Sequence, residues 1–402
     1  MANTGYSPRH TARPPARPVS WSRRRRFAVA IVAAISVAVL AVLAIVSART
    51  GAGHPRSPAA RCGTAGSAGC ARASAATAGR VPSADEPAAQ LPAAQVSAVW
   101  VVSGRPYEFE GPSAIAVVGS RLWVTNVLGD SVTELSAVTR APISAMPARR
   151  YGFRGPDAVA VGDGHVWIAN VPANTMTEIS ELTGALERTV TAASGLSSPY
   201  ALGLSGTRLW VANAGDNSVT ELNARTGSRI AAFSGTRYGF DDPAAVAISP
   251  GRVWVANAAG NSVTEMDAVT GAVITVLASG YHLADPTAIA AAGPDLWVAS
   301  EAGASVTEID LATGRLVRTL AGRRYGFRNP AAMAVTPGRL WVANSLSNSV
   351  SEIDTRTGVL VQALAGARYG FDNPTGLAAE GRTVWVTNLA ANSVTELRLA
   401  AP

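Results

Sequence analysis

The chain has 402 residues, 48% of them apolar and 15% charged, with a formal net charge of +7. This length fits one large all-β domain with a tail, and the scarcity of charge leaves enough apolar surface for a large core. The basic balance does not signal nucleic acid: residues 1–95 carry 12 Arg against Asp85 and Glu86, whereas residues 96–402 carry 22 Arg against 25 acids.

Residues 1–26 are rich in Pro and Arg and end in Arg23-Arg24-Arg25-Arg26. Residues 27–47 follow without a charge, a stretch of 21 that is long enough to span a bilayer as a helix. Seven Arg precede it and three lie in the next twenty residues, which puts the N-terminus in the cytoplasm and the rest of the chain outside it. A retained single-pass anchor is expected. A cleavable signal ending near Val46-Ser47-Ala48, and hence a secreted protein, is the rival reading. Residues 48–95 are mostly Ala, Gly, Ser, Pro and Thr, the composition of a disordered linker. Cys62 and Cys70 fall in this linker, where they either pair or stay free. Two Cys are too few for a zinc site and no His stands at ligand spacing, so neither metal nor cofactor is expected.

From residue 96 onward the chain repeats itself. Trp recurs at 123, 167, 210, 254, 297, 341 and 385, each preceded by a Pro and followed by a Glu in fixed register. Seven copies of about 40–45 residues, each holding several short strands, are the signature of a β-propeller. The sixth copy shows the division. Residues 331–335, 339–345, 349–354 and 359–364 read as strands A to D, separated by turn-forming "TPG", "LSN" and "TRTG". Packing between neighbouring sheets covers both faces of each, which accounts for continuous apolar runs such as Leu-Trp-Val-Ala. The seventh copy stops after strand C, and an extra apolar run, "AVWVV" at 98–102, precedes the first copy. That run stands at the same offset from Tyr107 as 360–364 does from Tyr369, so it is expected to complete the last blade and close the ring. The fold class is therefore an all-β, seven-bladed propeller of four antiparallel strands per blade over residues 96–402.

The repeated line, with Trp-Val-Ala-Asn and Asn-Ser-Val-Thr-Glu as in 210–213 and 217–221, resembles YVTN-type propeller repeats of bacterial surface and secreted proteins. It is also similar to the wider NHL and virginiamycin-B-lyase-like propellers. The resemblance covers about residues 96–402 and implies the propeller fold. For the lyases it implies a His-based acid–base site, against which this sequence offers only isolated His165 and His282.

Antiparallel order puts the B–C and D–A connections on one face of the ring. That face collects the Asn ending strand B and the Tyr-Gly-Phe loops leading into strand A. Tyr151, Tyr238, Tyr281, Tyr325 and Tyr369, with Arg154, Asp241 and Arg328, are the candidate ligand contacts there, since rings supply area and polar groups supply direction. The competing expectation is that the repeated Asn, Tyr and Trp build blades, that the strand-C Glu is held by hydroxyls or Arg, and that the surface Arg form ordinary ion pairs. The fifth copy departs from the pattern with Ser300-Glu301 and Tyr281-His282-Leu283, which makes His282 and Glu301 candidates for an acid–base pair. The strand-A cores ("AIAV", "AVAV" and their counterparts) offer the central channel no carboxylate or His. No phosphate-binding loop, nucleophile elbow or dinucleotide fingerprint occurs. The expected role is a membrane-tethered, monomeric module that binds protein, peptide or cell-wall glycan at the cell surface. The alternative is a lyase or hydrolase acting on a peptide or glycan.

Overall fold

The computed structural model describes residues 96–400. The expected cytoplasmic tail (1–26), membrane helix (27–47) and linker (48–95) lie outside the described residues. Among the described residues, no helix is long and apolar enough to cross a membrane.

Seven four-stranded sheets follow one another along the chain, each with strands in the order A-B-C-D. The third blade is typical, with strands Pro199–Ser205, Arg208–Asn213, Ser218–Asn223 and Arg229–Phe233. In the sixth blade, strand C spans Ser349–Asp354 as read from the sequence, while strand A (Pro330–Thr336) runs a residue further at each end. The Pro opening each strand A ends a loop, where the missing N–H removes no ladder bond.

Closure follows the expected route. Val96–Ser103 pairs antiparallel with Ser393–Leu399, and Trp100 stands opposite Glu396 just as Gln362 stands opposite Glu352 in the sixth blade. The sheet that ends the chain is thus finished by the strand that begins it.

The core lies between blades. Six of the seven repeat Trp are completely buried and Trp385 is 4% exposed. Each packs with Val, Leu and Ile from strands B and C of its own and the neighbouring blade. At about 150–250 Å² per aromatic side chain, these residues supply much of the force holding blade to blade.

Strand D carries one bulge. In the third blade Glu221 faces Ala231 and Leu222 faces Arg229, leaving Ile230 as the extra residue. The corresponding residues are Ile143, Ile274, Val317 and Val361 in four other blades, and Glu187 in the second.

Candidate functional site

The D–A loops are built from a short 3₁₀ or α turn stopped by a glycine in the left-handed region, such as Gly239 at φ 62° after Thr236–Tyr238. No Cβ resists that conformation in Gly. The turn drives the preceding Tyr inward. Tyr151, Tyr238 and Tyr325 are buried, and each stacks on the Phe two residues on, with centroids 5.5, 5.2 and 5.3 Å apart. Their hydroxyls donate to the carbonyls of Gly184, Gly271 and Gly358 in the C–D turn of the blade they enter, and half-buried Tyr281 does the same to Gly314 at 2.7 Å. Tyr369 is half-buried against Phe371. Tyr151, Tyr238, Tyr281 and Tyr325 therefore stitch loop to blade, because their rings fill the space between sheets and their hydroxyls are used inside the protein.

The Asn ending strand B is likewise interior. Asn257 is fully buried and donates to Ser262 Oγ and Thr264 Oγ1, and the pattern recurs at Asn126, Asn170, Asn213, Asn344 and Asn388. A second polar clamp crosses between blades. Asp130, Asn174, Asn217, Asn261, Asn348 and Asn392 sit in the left-handed region of the B–C turns. Their Oδ1 atoms accept from the N–H of Gly155, Ser198, Asp242, Asp285, Asn373 and Gly111, the last bond closing the ring.

The fifth blade has Ala304 at that turn position, so the joint to the sixth blade is made differently. With its amide turned to satisfy both neighbours, Asn329 donates to Glu301 Oε1 at 2.8 Å and Oε2 at 3.1 Å and accepts from Ser345 Oγ. Glu301 is thereby a partner of the next blade. His282 is exposed with φ 55° in place of the usual Gly, while Glu301 is engaged by Asn329.

The outward-facing groups include those just before the residue that precedes Pro in each D–A loop. Glu110, Arg154, Asp241, Arg328 and Asp372 are exposed there, with Ser197 and Ala284 at the remaining two places. The expected surface ion pairs are not what occupies the arginines. Arg154 and Arg328 make none among the described residues, while Arg150, Arg237, Arg324 and Arg368 lie over the adjoining Tyr rings at 4.7–5.6 Å. Such contacts gain about 0.5–1 kcal/mol at exposed sites.

At the opposite ends of the strands stands the strand-C Glu, held by arginine as expected. The first residue of strand B supplies it in the first, third, fourth and sixth blades, as Arg121 to Glu134, Arg208 to Glu221, Arg252 to Glu265 and Arg339 to Glu352. Where that position is not Arg, the cation comes from elsewhere. Asp295 occupies it in the fifth blade, and Glu308 takes Arg318 from strand D at 2.5 Å. Thr383 occupies it in the seventh, and Glu396 takes Arg140 from the first blade and Arg398 from its own strand, both at 3.3 Å. His165 occupies it in the second, where Glu178 lies 2.7 Å from His165 Nδ1 and 2.5 Å from Arg188 Nε. Burial raises the carboxyls of Glu178 and Glu308 to about 7, overriding the guanidinium beside each.

Two sequence expectations need correction here. Strand A of the second blade begins Pro156-Asp157 and that of the seventh ends in Glu380, so two carboxylates, one half-buried and one exposed, do enter the channel strands. The expectation that no His stands at ligand spacing also fails, since ligand atoms of His165, Glu178 and Glu187 all lie within 4.8 Å of one another. The signal for the latter was present in the repeat, as His165 aligns with Arg121, Arg208, Arg252 and Arg339.

No protein-family model and no curated protein matches the sequence. Among solved structures the chain is similar to virginiamycin B lyase from Staphylococcus aureus, at 16% identity and a TM-score of 0.63 over 75% of this chain and 99% of that one. A catalytically inactive histidine-to-alanine variant of that lyase with quinupristin gives 15% identity and a TM-score of 0.65 over 75% and 99%. A streptogramin B lyase structure gives 18% identity and 0.62 over 75% and 98%. The likeness is one of fold, a seven-bladed propeller of the virginiamycin-B-lyase kind.

Proposed function

We propose that the chain is a membrane-tethered binding module at the cell surface, whose B–C/D–A face receives a protein, peptide or cell-wall glycan. Residues 27–47 would anchor it, with residues 48–95 as a flexible tether. The observation that carries the reading is the loop position described above, where Arg154 and Arg328 are exposed and free of ion pairs among the described residues. Buried amides and hydroxyls on the same face are already engaged inside the protein, so ligand contact falls to these charged tips. An unpaired guanidinium grips a carboxylate through two parallel hydrogen bonds, which favours a ligand carrying acidic groups. Aromatic surface contributes less than the sequence suggests, because the Tyr rings are packed between blades.

Binding of the full-length protein to a peptide and glycan array tests this. Selective capture of carboxylate-bearing ligands is expected, weakened roughly tenfold or more by Arg154→Glu with Arg328→Glu. Equal signal across the array, or capture indifferent to the double variant, would overturn it. The lyase or hydrolase reading is favoured by exposed His282 and by the fold shared with a lyase that loses activity with a histidine. It differs in outcome, since captured ligand would be released chemically altered.

A further inference from the structure

We propose that the second blade holds a divalent cation of the zinc type, bound by His165 Nδ1, Glu178 Oε1 and Glu187 Oε2. The three ligands come from three adjacent strands, His165–Asn170, Thr175–Ser180 and Leu186–Val190. His165 lies two residues before Trp167, which faces Glu178 across the ladder, so both side chains emerge on one side of the sheet. Simple alternation would send Glu187 to the other side from Arg188. Glu187 is instead the bulge residue of strand D, and a bulge re-aims its side chain. At this position the other blades carry Ile143, Ile230, Ile274, Val317, Val361 or, in the closing strand, the regularly paired Val99. The second blade alone combines a histidine at the arginine position with a carboxylate at the bulge.

The geometry favours a shared cation. Nδ1 of His165 lies 2.7 Å from Glu178 Oε1 and 3.1 Å from Glu187 Oε2. The Glu178 side chain is fully buried, yet neither of its oxygens receives a hydrogen bond of acceptable direction, although His165 and Arg188 are close to them. A buried carboxylate close to donors but off their axes suits a ligand that binds without directional N–H geometry. Arg188 Nε lies 2.5 Å from Glu178 Oε2, on the oxygen away from His165, which leaves Oε1 for the ion. His165 and Glu187 remain 20% and 30% exposed, which gives the ion a path from solvent. One nitrogen with two oxygens suits Zn²⁺, with a fourth position open to water, while Mg²⁺ and Ca²⁺ prefer oxygen alone.

The test is calorimetric titration of the full-length protein with Zn²⁺, in a Cys62→Ser, Cys70→Ser background that removes the thiols as competitors. One ion per chain at micromolar Zn²⁺, with a rise in unfolding temperature that Mg²⁺ does not reproduce, is expected. His165→Arg installs the residue found in four other blades, so it should fold and lose the ion. Glu187→Gln leaves the buried pair in place and should weaken binding about tenfold to a hundredfold. The proposal is overturned if micromolar Zn²⁺ neither binds nor raises the unfolding temperature, or if either variant binds it as the parent does. Should His165→Arg prove unfolded by circular dichroism, Glu187→Gln decides alone.

Discussion

Glu178 and Glu308 occupy the same place in their blades, and both have carboxyls raised by burial to about 7. They are also two of the three copies in which strand B does not open with Arg. In three of the four blades that keep it, Glu134, Glu221 and Glu265 are raised as well, again through burial. For Glu308 this has a consequence for stability. The unfolded carboxyl releases its proton at the ordinary value of 4.5, and the folded one only near 7. Between those values the folded state binds more protons, so stability falls as pH rises through the window and is lowest above it. Asp295, a like charge beside Glu308, adds to the effect. Asp295→Arg removes that repulsion and supplies the guanidinium other blades have. It should stabilise the protein by about 1 kcal/mol at about pH 8, and by much less at about pH 5. Urea denaturation at the two pH values checks this, and equal gain at both would contradict the assignment.

Between elements, the joints of the ring are nearly equivalent, and the exception is informative. Six B–C turns present an Asn or Asp side chain in the left-handed region to the next blade's loop, while the fifth presents Ala304 at φ 45°. Alanine resists that conformation by roughly 1–2 kcal/mol more than glycine does, and Asn offsets part of the cost through local hydrogen bonds. Ala304→Asn should therefore relieve strain and give the Asn329 N–H the acceptor its counterparts have. The expected gain is about 1 kcal/mol, read as a higher unfolding midpoint with no change in slope against denaturant. A neutral or destabilising result would show that the Asn329–Glu301 contact already completes this joint. The sequence marked the fifth copy as unusual at Ser300, Glu301 and His282. It did not reveal that Glu301 answers to Asn329, because that contact crosses between blades and neither residue lies in the repeated motif.

For the whole ring, stability rests on the first strand lying beside the last. Trp100 of that strand is flanked by Arg140 at 4.3 Å and Arg398 at 5.3 Å, the two cations that also reach Glu396. Arg140 takes the left-handed turn position (φ 67°) that glycine holds in the next five blades, and from there it ties the first blade to the seventh. Removal of residues 1–103 would bare Ser393–Leu399 as an unpaired edge and strip Glu396 of its aromatic cover. An unfolding midpoint lower by roughly 5 °C or more is expected, together with association detectable by light scattering. A truncated chain that stays monomeric and equally stable would mean that closure contributes little. The blades, their order and this closure were determined by the sequence itself, because strand pairing follows from Trp, Pro and Glu held in one register through seven copies. What the tyrosines touch, where the arginines rest and how His165, Glu178 and Glu187 converge was decided only by the tertiary structure. Those contacts depend on the twist of one blade against the next and on a one-residue bulge, neither of which leaves a period in the chain.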